Sequence, residues 1–322
     1  MKPTAYLKRL FASLAVIFAL AAGYVVYFNS HYPIPITDHI SFDAKLKFVR
    51  DRIDPDQVDT LIIGSSIGLN DLLGAEMEKY SKVIKKALNF SVYGATTLQA
   101  EQIMQLMDAF PNLERIIYSA QYSDMPHIRT FKSYHPKTLV KYIRRELGPI
   151  SYAKLLFQAC GNLYFCYERQ QKWHSVHMHT NVFESLVFDP SGSVPLHIYG
   201  KDIIGHRWRL PHPGIMHPYS FQAIERMAKR AGERGLHFYV VHQPYRLQLY
   251  REHRSVREAM DYFDIHVKEA ISKYDGDLIA VQPLNLGNGY FADRTHLNDK
   301  GSVVVSKYVA HLIEKLETKE KQ

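Results

Sequence analysis

Apolar and polar positions follow two periods along this chain, and each period predicts a different kind of element. Short continuous apolar runs are typical of buried parallel strands, and helical spacing of apolar residues is typical of amphipathic helices. We predict strands at 58–63, 87–92, 113–119, 236–241 and 278–281. We predict helices at 43–52, 97–108, 221–234 and 302–316. This alternation predicts an α/β fold, a three-layer α/β/α sandwich around a mostly parallel sheet.

The first thirty residues carry a different pattern. Basic residues within the first nine positions precede an uncharged apolar run at 10–28. A run of about 20 apolar residues spans a bilayer, and positive flanking charges favour a cytoplasmic N-terminus. We therefore predict an uncleaved membrane anchor, with the rest of the chain extracytoplasmic. A cleaved signal peptide is the alternative, because Ala19-Leu20-Ala21 matches an A-x-A site; the apolar residues that continue past this site favour the anchor.

The patterns divide the chain into three parts. Residues 1–30 form the cytoplasmic tip and anchor, residues 31–56 form a linker that its prolines keep extended at the start, and residues 57–322 form one α/β domain. The stretch at about 131–217 does not follow the alternation. Long segments between core elements are often lids or binding regions, so we interpret it as an insertion over the site. Two further packing helices with ordinary loops are the alternative.

The insertion contains both cysteines of the chain, Cys160 and Cys166. An extracytoplasmic location permits a disulfide between them. Their spacing of six does not bring two side chains together on one helix face, so a bridge requires irregular backbone between them. Two buried thiols are the alternative.

Charge adds a hint about partners. The formal net charge is +8 and the sequence pI is about 9.2. Such a balance suits an anionic partner, either the membrane surface or an acidic envelope polymer. The basic residues are scattered and no nucleic-acid motif is present, so we predict no nucleic-acid partner. Simple solubility also explains such a charge.

Two short segments supply candidate chemistry. Ser65 and Ser66 follow the first predicted strand at a small-residue turn, and Asp293 precedes His296 by three residues near the chain end. A serine nucleophile needs a base, and the base needs an orienting carboxylate. We predict Ser66 as nucleophile, His296 as base and Asp293 as orienting acid, with Ser65 as the rival nucleophile. The alternative is that the serines cap a helix and the Asp293–His296 pair is a local capping interaction.

These segments resemble the conserved blocks of the SGNH (GDSL-type) hydrolases. Gly64-Ser65-Ser66 resembles the first block, residues 89–96 the second, and Asp293-x-x-His296 the last. The third block, Gly-x-Asn-Asp, is absent, and Ser119-Ala120-Gln121-Tyr122 stands in its place. This departure and the double serine resemble the membrane-anchored branch. That branch includes the D-alanyl-lipoteichoic acid biosynthesis protein D and the alginate O-acetylation proteins.

The resemblance implies roles for further residues. The backbone N–H groups of Ser66 and Gly94 are expected to form an oxyanion hole, with the Gln121 amide replacing the missing asparagine of the third block. Asn70 is a second candidate for that amide.

The resemblance also implies a function. It implies acyl chemistry through an acyl-enzyme, either ester hydrolysis or O-acyl transfer, on a cell-envelope polymer or glycan. We expect no cofactor. The resemblance also implies that the protein works beside a multi-pass membrane acyltransferase. The alternative is a non-catalytic envelope assembly protein that retains the fold.

Two other features bear on binding. Arg246 follows the fourth predicted strand, and ligands of such sheets bind at the carboxyl ends of strands, so Arg246 is a candidate for an anionic substrate or a solvated loop residue. The histidine-rich run at 173–179 suggests a metal, but no carboxylate pairs closely with it. We predict an exposed or aromatic-packed loop there, and no metal.

Overall fold

Five parallel strands form one sheet in the computed structural model, which describes residues 3–180, 182–200 and 210–320. The strands are β1 (Thr60–Gly64), β2 (Ala87–Asn89), β3 (Arg115–Ala120), β4 (His237–His242) and β5 (Asp277–Ala280). Their order across the sheet is β2-β1-β3-β4-β5. The chain moves outward from β1 to β2 and then crosses back to β3. The carboxyl ends of β1 and β3 therefore flank a topological switch point, where ligands of such sheets bind.

Helices connect and surround the strands. Within the described part of the chain they are α1 (Pro3–His31), α2 (Ile40–Arg52), α3 (Ser66–Asp71), α4 (Gly74–Tyr80), α5 (Thr97–Met104), α6 (Pro136–Ile143), α7 (Pro149–Ala159), α8 (Leu163–Lys172), α9 (Pro218–Gly232), α10 (Leu247–Glu252), α11 (Arg254–Ile271) and α12 (Asp299–Glu320). Each predicted strand and helix overlaps an observed one. The predicted α/β class with a parallel sheet is confirmed.

Alternate strand residues enter two separate apolar clusters, because successive side chains of a strand point to opposite faces. Leu61 and Ile63 of β1 join a cluster with residues of α5, α9 and α11. Ile62 joins a second cluster with residues of α4 and α12. Both faces of the sheet are therefore covered, which explains why its strands are continuous apolar runs rather than alternating ones.

The region predicted as a linker contributes to the core. Phe42, Leu46 and Val49 of α2 are spaced for one helix face and are buried in the same cluster as β1. The Lys45 ammonium is also buried and donates hydrogen bonds to the carbonyls of Asn89, at 2.8 Å, and Gly192. Only the start of the segment is extended, as its prolines predict.

Helix α11 is absent from the predicted set, although its signal is in the sequence. Apolar residues recur at helical spacing and are buried against the sheet, at Val256, Met260, Phe263, Val267 and Ile271. The polar residues between them shorten every apolar run, so the pattern is recognisable only by its period.

The long segment at 131–217 contains helices and loops, and no strand in its described residues. A disulfide joins Cys160 to Cys166. α7 ends before Cys160 and α8 begins at Leu163, so the irregular backbone that the bridge requires lies between the two helices. Farther along, Phe183 packs edge-on against the ring of His296, with 4.8 Å between ring centroids.

Helix α1 is long and apolar enough to span a membrane, by its length and composition. The candidate span is Thr4–His31, with a mean hydropathy of 2.2 in its most apolar window. Only 6% of that window is buried inside the protein, unlike a core helix. Near its C-terminal end, Val25 and Phe28 are buried.

A buried ion pair holds the last helix to the centre of the sheet. Arg115 of β3 and Glu317 of α12 are 4% and 3% exposed, with 2.6 Å between Nε and Oε1 and 2.8 Å between the second pair of atoms. The Tyr239 hydroxyl donates a third hydrogen bond to the same carboxylate, at 3.1 Å.

We expect Glu317→Gln to lower the free energy of unfolding by about 2 kcal/mol, because it removes the buried carboxylate of a charge-assisted pair. The Arg115 guanidinium keeps the carboxylates of Glu114, at 2.8 Å, and Asp59, at 3.9 Å. A matched control is Glu258→Gln. Arg254 Nε lies 2.6 Å from Glu258 Oε1 as well, but that pair is exposed to solvent. Its loss should change the free energy by less than about 1 kcal/mol. Chemical denaturation of both variants measures the difference; equal losses would contradict the role of burial.

Candidate active site

Ser66 is positioned by an abrupt end of β1. At Gly64 a Cβ atom would lie 2.4 Å from the carbonyl oxygen of Ser119 on the neighbouring strand, so only glycine allows this approach. The chain then turns, and Ser65 becomes the N-cap of α3 by accepting the Ile67 N–H at 3.2 Å. Ser66 is the first residue of the helix. Its own N–H therefore has no partner within the helix.

The three predicted catalytic side chains are brought together. The distance from Ser66 Oγ to His296 Nε2 is 2.8 Å, and the distance from His296 Nδ1 to Asp293 Oδ2 is also 2.8 Å. The other carboxylate oxygen of Asp293 accepts the backbone N–H groups of Thr295, at 2.8 Å, and His296, at 2.7 Å. The carboxylate is therefore held by its own loop while it faces the imidazole. This is the geometry of a nucleophile, a base and an orienting acid.

Electrostatics within the pair favour the imidazolium. Burial disfavours the charged ring, but the charge and hydrogen bond of Asp293 outweigh it, and the pKa of His296 is raised above 6.5. Burial likewise opposes the Asp293 carboxylate, but His296 and the two backbone donors lower its pKa to about 2. The pair's contribution to folding is thus complete at mildly acidic pH. It is lost above the folded-state pKa of His296, and again as the pH falls through about 2.

The rival nucleophile Ser65 is occupied elsewhere. It is 3% exposed, and its hydroxyl is hydrogen-bonded to the carboxyl of Asp124. Burial raises the pKa of Asp124 to about 6, against the hydrogen bonds from Ser65 and from the Gln121 N–H, which is 3.0 Å away. The Ser65 hydroxyl therefore caps α3, as the alternative interpretation of the two serines predicts. Ser66 is the serine whose hydroxyl faces His296.

Two acids near the site are absent from the sequence-based set. Asp124 is one, and its signal was its place just after the third strand, beside the missing third block. Asp71, at the end of α3, is the other. It is fully buried and accepts the N–H of Leu297 at 2.9 Å. Burial raises its pKa well above the ordinary range.

Of the predicted oxyanion donors, Ser66 and Gly94 line one cavity, and Gln121 and Asn70 do not line it. Gly94 has a φ of +65° and lines the same cavity as Ser66 and His296. The Gln121 amide donates to the Pro244 carbonyl at 3.1 Å and does not line that cavity. The amide of Asn70 donates to Tyr93 Oη at 3.1 Å and to a backbone carbonyl.

The cavity beside the triad has a volume of about 220 Å³. Its lining combines catalytic, small and polar side chains with one arginine, and comprises Ser66, Gly94, Ala95, Thr96, Tyr122, Ser123, Asp124, His127, Arg129, Thr295 and His296. It therefore opens on the serine hydroxyl and on the Gly94 backbone together.

Arg246 does not line this cavity. It lies at the start of α10, where burial lowers its pKa and the nearby charge of Asp293 opposes that shift. Its contact with an anionic substrate stays a prediction.

The histidine run does not begin as the predicted loop, because Trp173–His177 form one π-helical turn that continues α8, and its exposed members are His174 and His179. His177 is buried beside Trp173, with 5.9 Å between ring centroids, and its Nδ1 lies 2.7 Å from the Glu184 carbonyl oxygen. His174 lies 3.0 Å from the Tyr32 hydroxyl. Across residues 3–180, 182–200 and 210–320, no cluster of three or more histidine, cysteine, aspartate or glutamate residues is arranged to hold a metal ion.

Comparison with known proteins finds no protein-family model that matches this chain and no significant match among curated proteins.

We expect His296 to titrate above pH 6.5 and Asp293→Asn to lower its pKa, because burial is then opposed only by the charges of Asp71 and Asp124. Histidine-selective NMR titration measures both values, with the resonance assigned by its loss in His296→Ala. Asp299→Asn is the control, since Asp299 pairs with the exposed His197 at 3.2 Å and should leave His296 unchanged. An unaltered His296 pKa in Asp293→Asn would refute the assigned coupling.

Proposed function

We propose that this protein is a membrane-anchored, exported serine enzyme of the SGNH type that hydrolyses or transfers an acyl ester. The observation that carries the proposal is the continuous relay from Asp293 through His296 to Ser66, with both hydrogen bonds at 2.8 Å. A local capping interaction would account for the contact between Asp293 and His296. It would not account for the hydrogen bond between the other imidazole nitrogen and the Ser66 hydroxyl, which is 230 positions away in the sequence.

In the proposed mechanism, Asp293 accepts the Nδ1–H of His296 and leaves the Nε2 lone pair for Ser66. As Ser66 Oγ bonds to the ester carbonyl carbon, its proton passes to Nε2. The oxyanion of the tetrahedral intermediate then accepts the N–H groups of Ser66 and Gly94. Collapse breaks the ester C–O bond, and the imidazolium donates its proton to the departing alcohol.

The resulting acyl-enzyme is resolved by a second hydroxyl. Water, deprotonated by His296, regenerates Ser66 and releases the acid in a hydrolase. A sugar or polyol hydroxyl in the same place yields a new ester in a transferase.

The size of the cavity supports a short acyl group. Drug-sized ligands occupy pockets of about 300 to 1,000 Å³, and this cavity is smaller, at about 220 Å³. An acetyl-sized group fits beside Ser66 while the polymer or glycan that carries or receives it lies outside. Arg129 at the exposed side of the cavity suits an anionic envelope polymer.

The compartment and layering belong to the same proposal. The helices on both faces of the sheet support a three-layer sandwich of the SGNH type. The apolar α1 and its basic N-terminal flank support an anchor with the remaining domain outside the cytoplasm, where the Cys160–Cys166 disulfide is stable. A multi-pass membrane acyltransferase is the proposed partner that supplies the acyl group.

A non-catalytic envelope assembly protein is the second candidate. The observation that favours it is the state of Gln121, whose amide is engaged by the Pro244 carbonyl instead of lining the cavity. In an assembly protein, the hydrogen bonds that join Asp293, His296 and Ser66 would have no catalytic role. The backbone N–H groups of Ser66 and Gly94 alone would then not support turnover.

A serine-directed fluorophosphonate probe distinguishes these candidates. We expect the full-length protein to be labelled, because His296 activates the Ser66 hydroxyl for attack on phosphorus. Labelling should be lost in Ser66→Ala and retained in Ser65→Ala, since the Ser65 hydroxyl is bonded to Asp124. Absence of labelling in a folded protein, under conditions that label a related esterase, would favour the assembly protein.

We expect His296→Ala to lower turnover of a short activated ester, such as p-nitrophenyl acetate, more than Asp293→Asn does. The second change lowers turnover by up to about four powers of ten in serine proteases, because the amide favours the wrong imidazole tautomer. In the unaltered protein kcat/KM should rise with pH and reach half its maximum above pH 6.5, since the neutral ring accepts the proton. Near-normal turnover by folded His296→Ala would exclude the triad mechanism.

A further inference from the structure

Helices α7 and α8, whose adjacent ends the Cys160–Cys166 disulfide joins, expose large apolar side chains; we call this helix–disulfide–helix segment the α7–α8 hairpin. Six large side chains of the hairpin are more than a third exposed, among them Ile150 at 86% and Tyr164 at 67%. The set, which we call the hairpin apolar face, is Ile150 and Phe157 of α7 and Leu163, Tyr164, Phe165 and Tyr167 of α8. Concentrated apolar exposure of this kind marks a surface that contacts a partner or a membrane.

The hairpin packs against the C-terminal end of α1. Val25 and Phe28 are the α1 side chains buried there. The Asn29 side-chain amide donates to the Tyr152 hydroxyl of α7 at 2.8 Å, and the Tyr24 hydroxyl donates to Gln170 of α8 at 3.4 Å. Both helices of the hairpin are therefore attached to the last two turns of α1.

This attachment sets the height of the hairpin relative to a bilayer. At 1.5 Å per residue, the apolar run 10–28 extends for roughly 28 Å, close to the thickness of the hydrocarbon core. Asn29 then lies where the helix leaves the hydrocarbon. Tyr152, bonded to Asn29, lies at the same depth, and Ile150 is only two residues away on α7.

We propose that the α7–α8 hairpin is a second membrane contact, with its apolar face inserted among the lipid headgroups of the outer leaflet; this inference rests on the proposed membrane anchor. The occupant of the apolar face is lipid rather than another protein, because both helices that carry the face are attached to α1, the helix that crosses the bilayer in the proposed anchor. With two contacts instead of one, the domain is held at a defined orientation to the membrane, and its cavity at a defined height.

The composition of the hairpin suits the membrane–water boundary. Four of its six exposed apolar residues, at 157, 164, 165 and 167, are aromatic, and aromatic rings concentrate at this level. Lys154, exposed on α7 between Ile150 and Phe157, has a stem long enough to carry its ammonium to the phosphates. The Tyr164 hydroxyl is hydrogen-bonded to the carboxylate of Glu168, so the hydroxyl end of the Tyr164 side chain faces a polar group.

Depth-dependent fluorescence quenching tests the proposal on the full-length protein in liposomes. Both native cysteines are bridged, so a single introduced cysteine is the thiol that takes an environment-sensitive fluorophore. The test sites are Ile150→Cys and Tyr164→Cys. Ile265→Cys, at 63% exposure on α11, is the matched control for an exposed apolar site elsewhere, and Ile17→Cys in α1 reports the anchor. Emission is compared in lipids brominated near the headgroup end of their acyl chains and in unbrominated lipids.

We expect loss of emission in brominated lipid at positions 17, 150 and 164 and none at 265. Quenching at 17 without quenching at 150 and 164 would overturn the hairpin contact and leave the anchor intact. Absence of quenching at 17 would overturn the anchor, and with it the hairpin contact. Equal quenching at 150, 164 and 265 would show non-specific adsorption and would also overturn the proposal.

Discussion

The hydrogen bond from the Leu297 N–H to the carboxyl of Asp71 joins the two parts of the chain that form the site. It connects the end of α3, which starts at Ser66, to the loop that carries His296. Two more buried bonds lie beside it. The Ser302 hydroxyl donates to the Asn70 carbonyl at 2.8 Å, and the Leu73 N–H donates to Ser306 Oγ at 2.8 Å. Because these bonds are short and shielded from water, they fix the distance between serine and imidazole.

Asp71 serves this purpose because it is buried. Its side chain is 0% exposed, so water does not compete for the Leu297 N–H, and the same burial raises its pKa well above the ordinary range. Asp293 differs in having two backbone donors and His296 itself as partners, and these lower its pKa to about 2. Burial therefore dominates the pKa of Asp71, and the groups that its oxygens contact dominate the pKa of Asp293.

The side of the protein nearest α1 is joined firmly to the domain that carries the site. A buried ion pair connects α8 to α2, with 3.1 Å between Arg169 and Asp43. α2 in turn packs into the core with β1, and its Lys45 bonds to the carbonyl of Asn89, the last residue of β2. A contact between the hairpin and lipid would therefore orient the α/β domain through these buried contacts.

Local patterns in the sequence determine the elements. Apolar runs predict each strand to within a few residues, since a strand covered on both faces has no polar alternation to obscure it. α11 escaped prediction because its apolar residues are separated by polar ones. The uncharged run at 10–28 likewise predicts a long apolar helix, since length and composition alone decide whether a helix is able to cross a bilayer.

The sequence was sufficient to predict that Ser66, His296 and Asp293 come together, because each part of this arrangement belongs to a short local motif. Asp293 and His296 face each other within one loop, and Ser66 follows a strand that must end at Gly64. Long-range packing alone decided which serine meets the imidazole, that the Gln121 amide bonds to Pro244, and that Arg246 lies near Asp293 rather than in the cavity. It also placed Asp71 and Asp124 around the site and the hairpin against α1. Contacts between residues tens to hundreds of positions apart depend on the relative placement of whole elements, which no local pattern records.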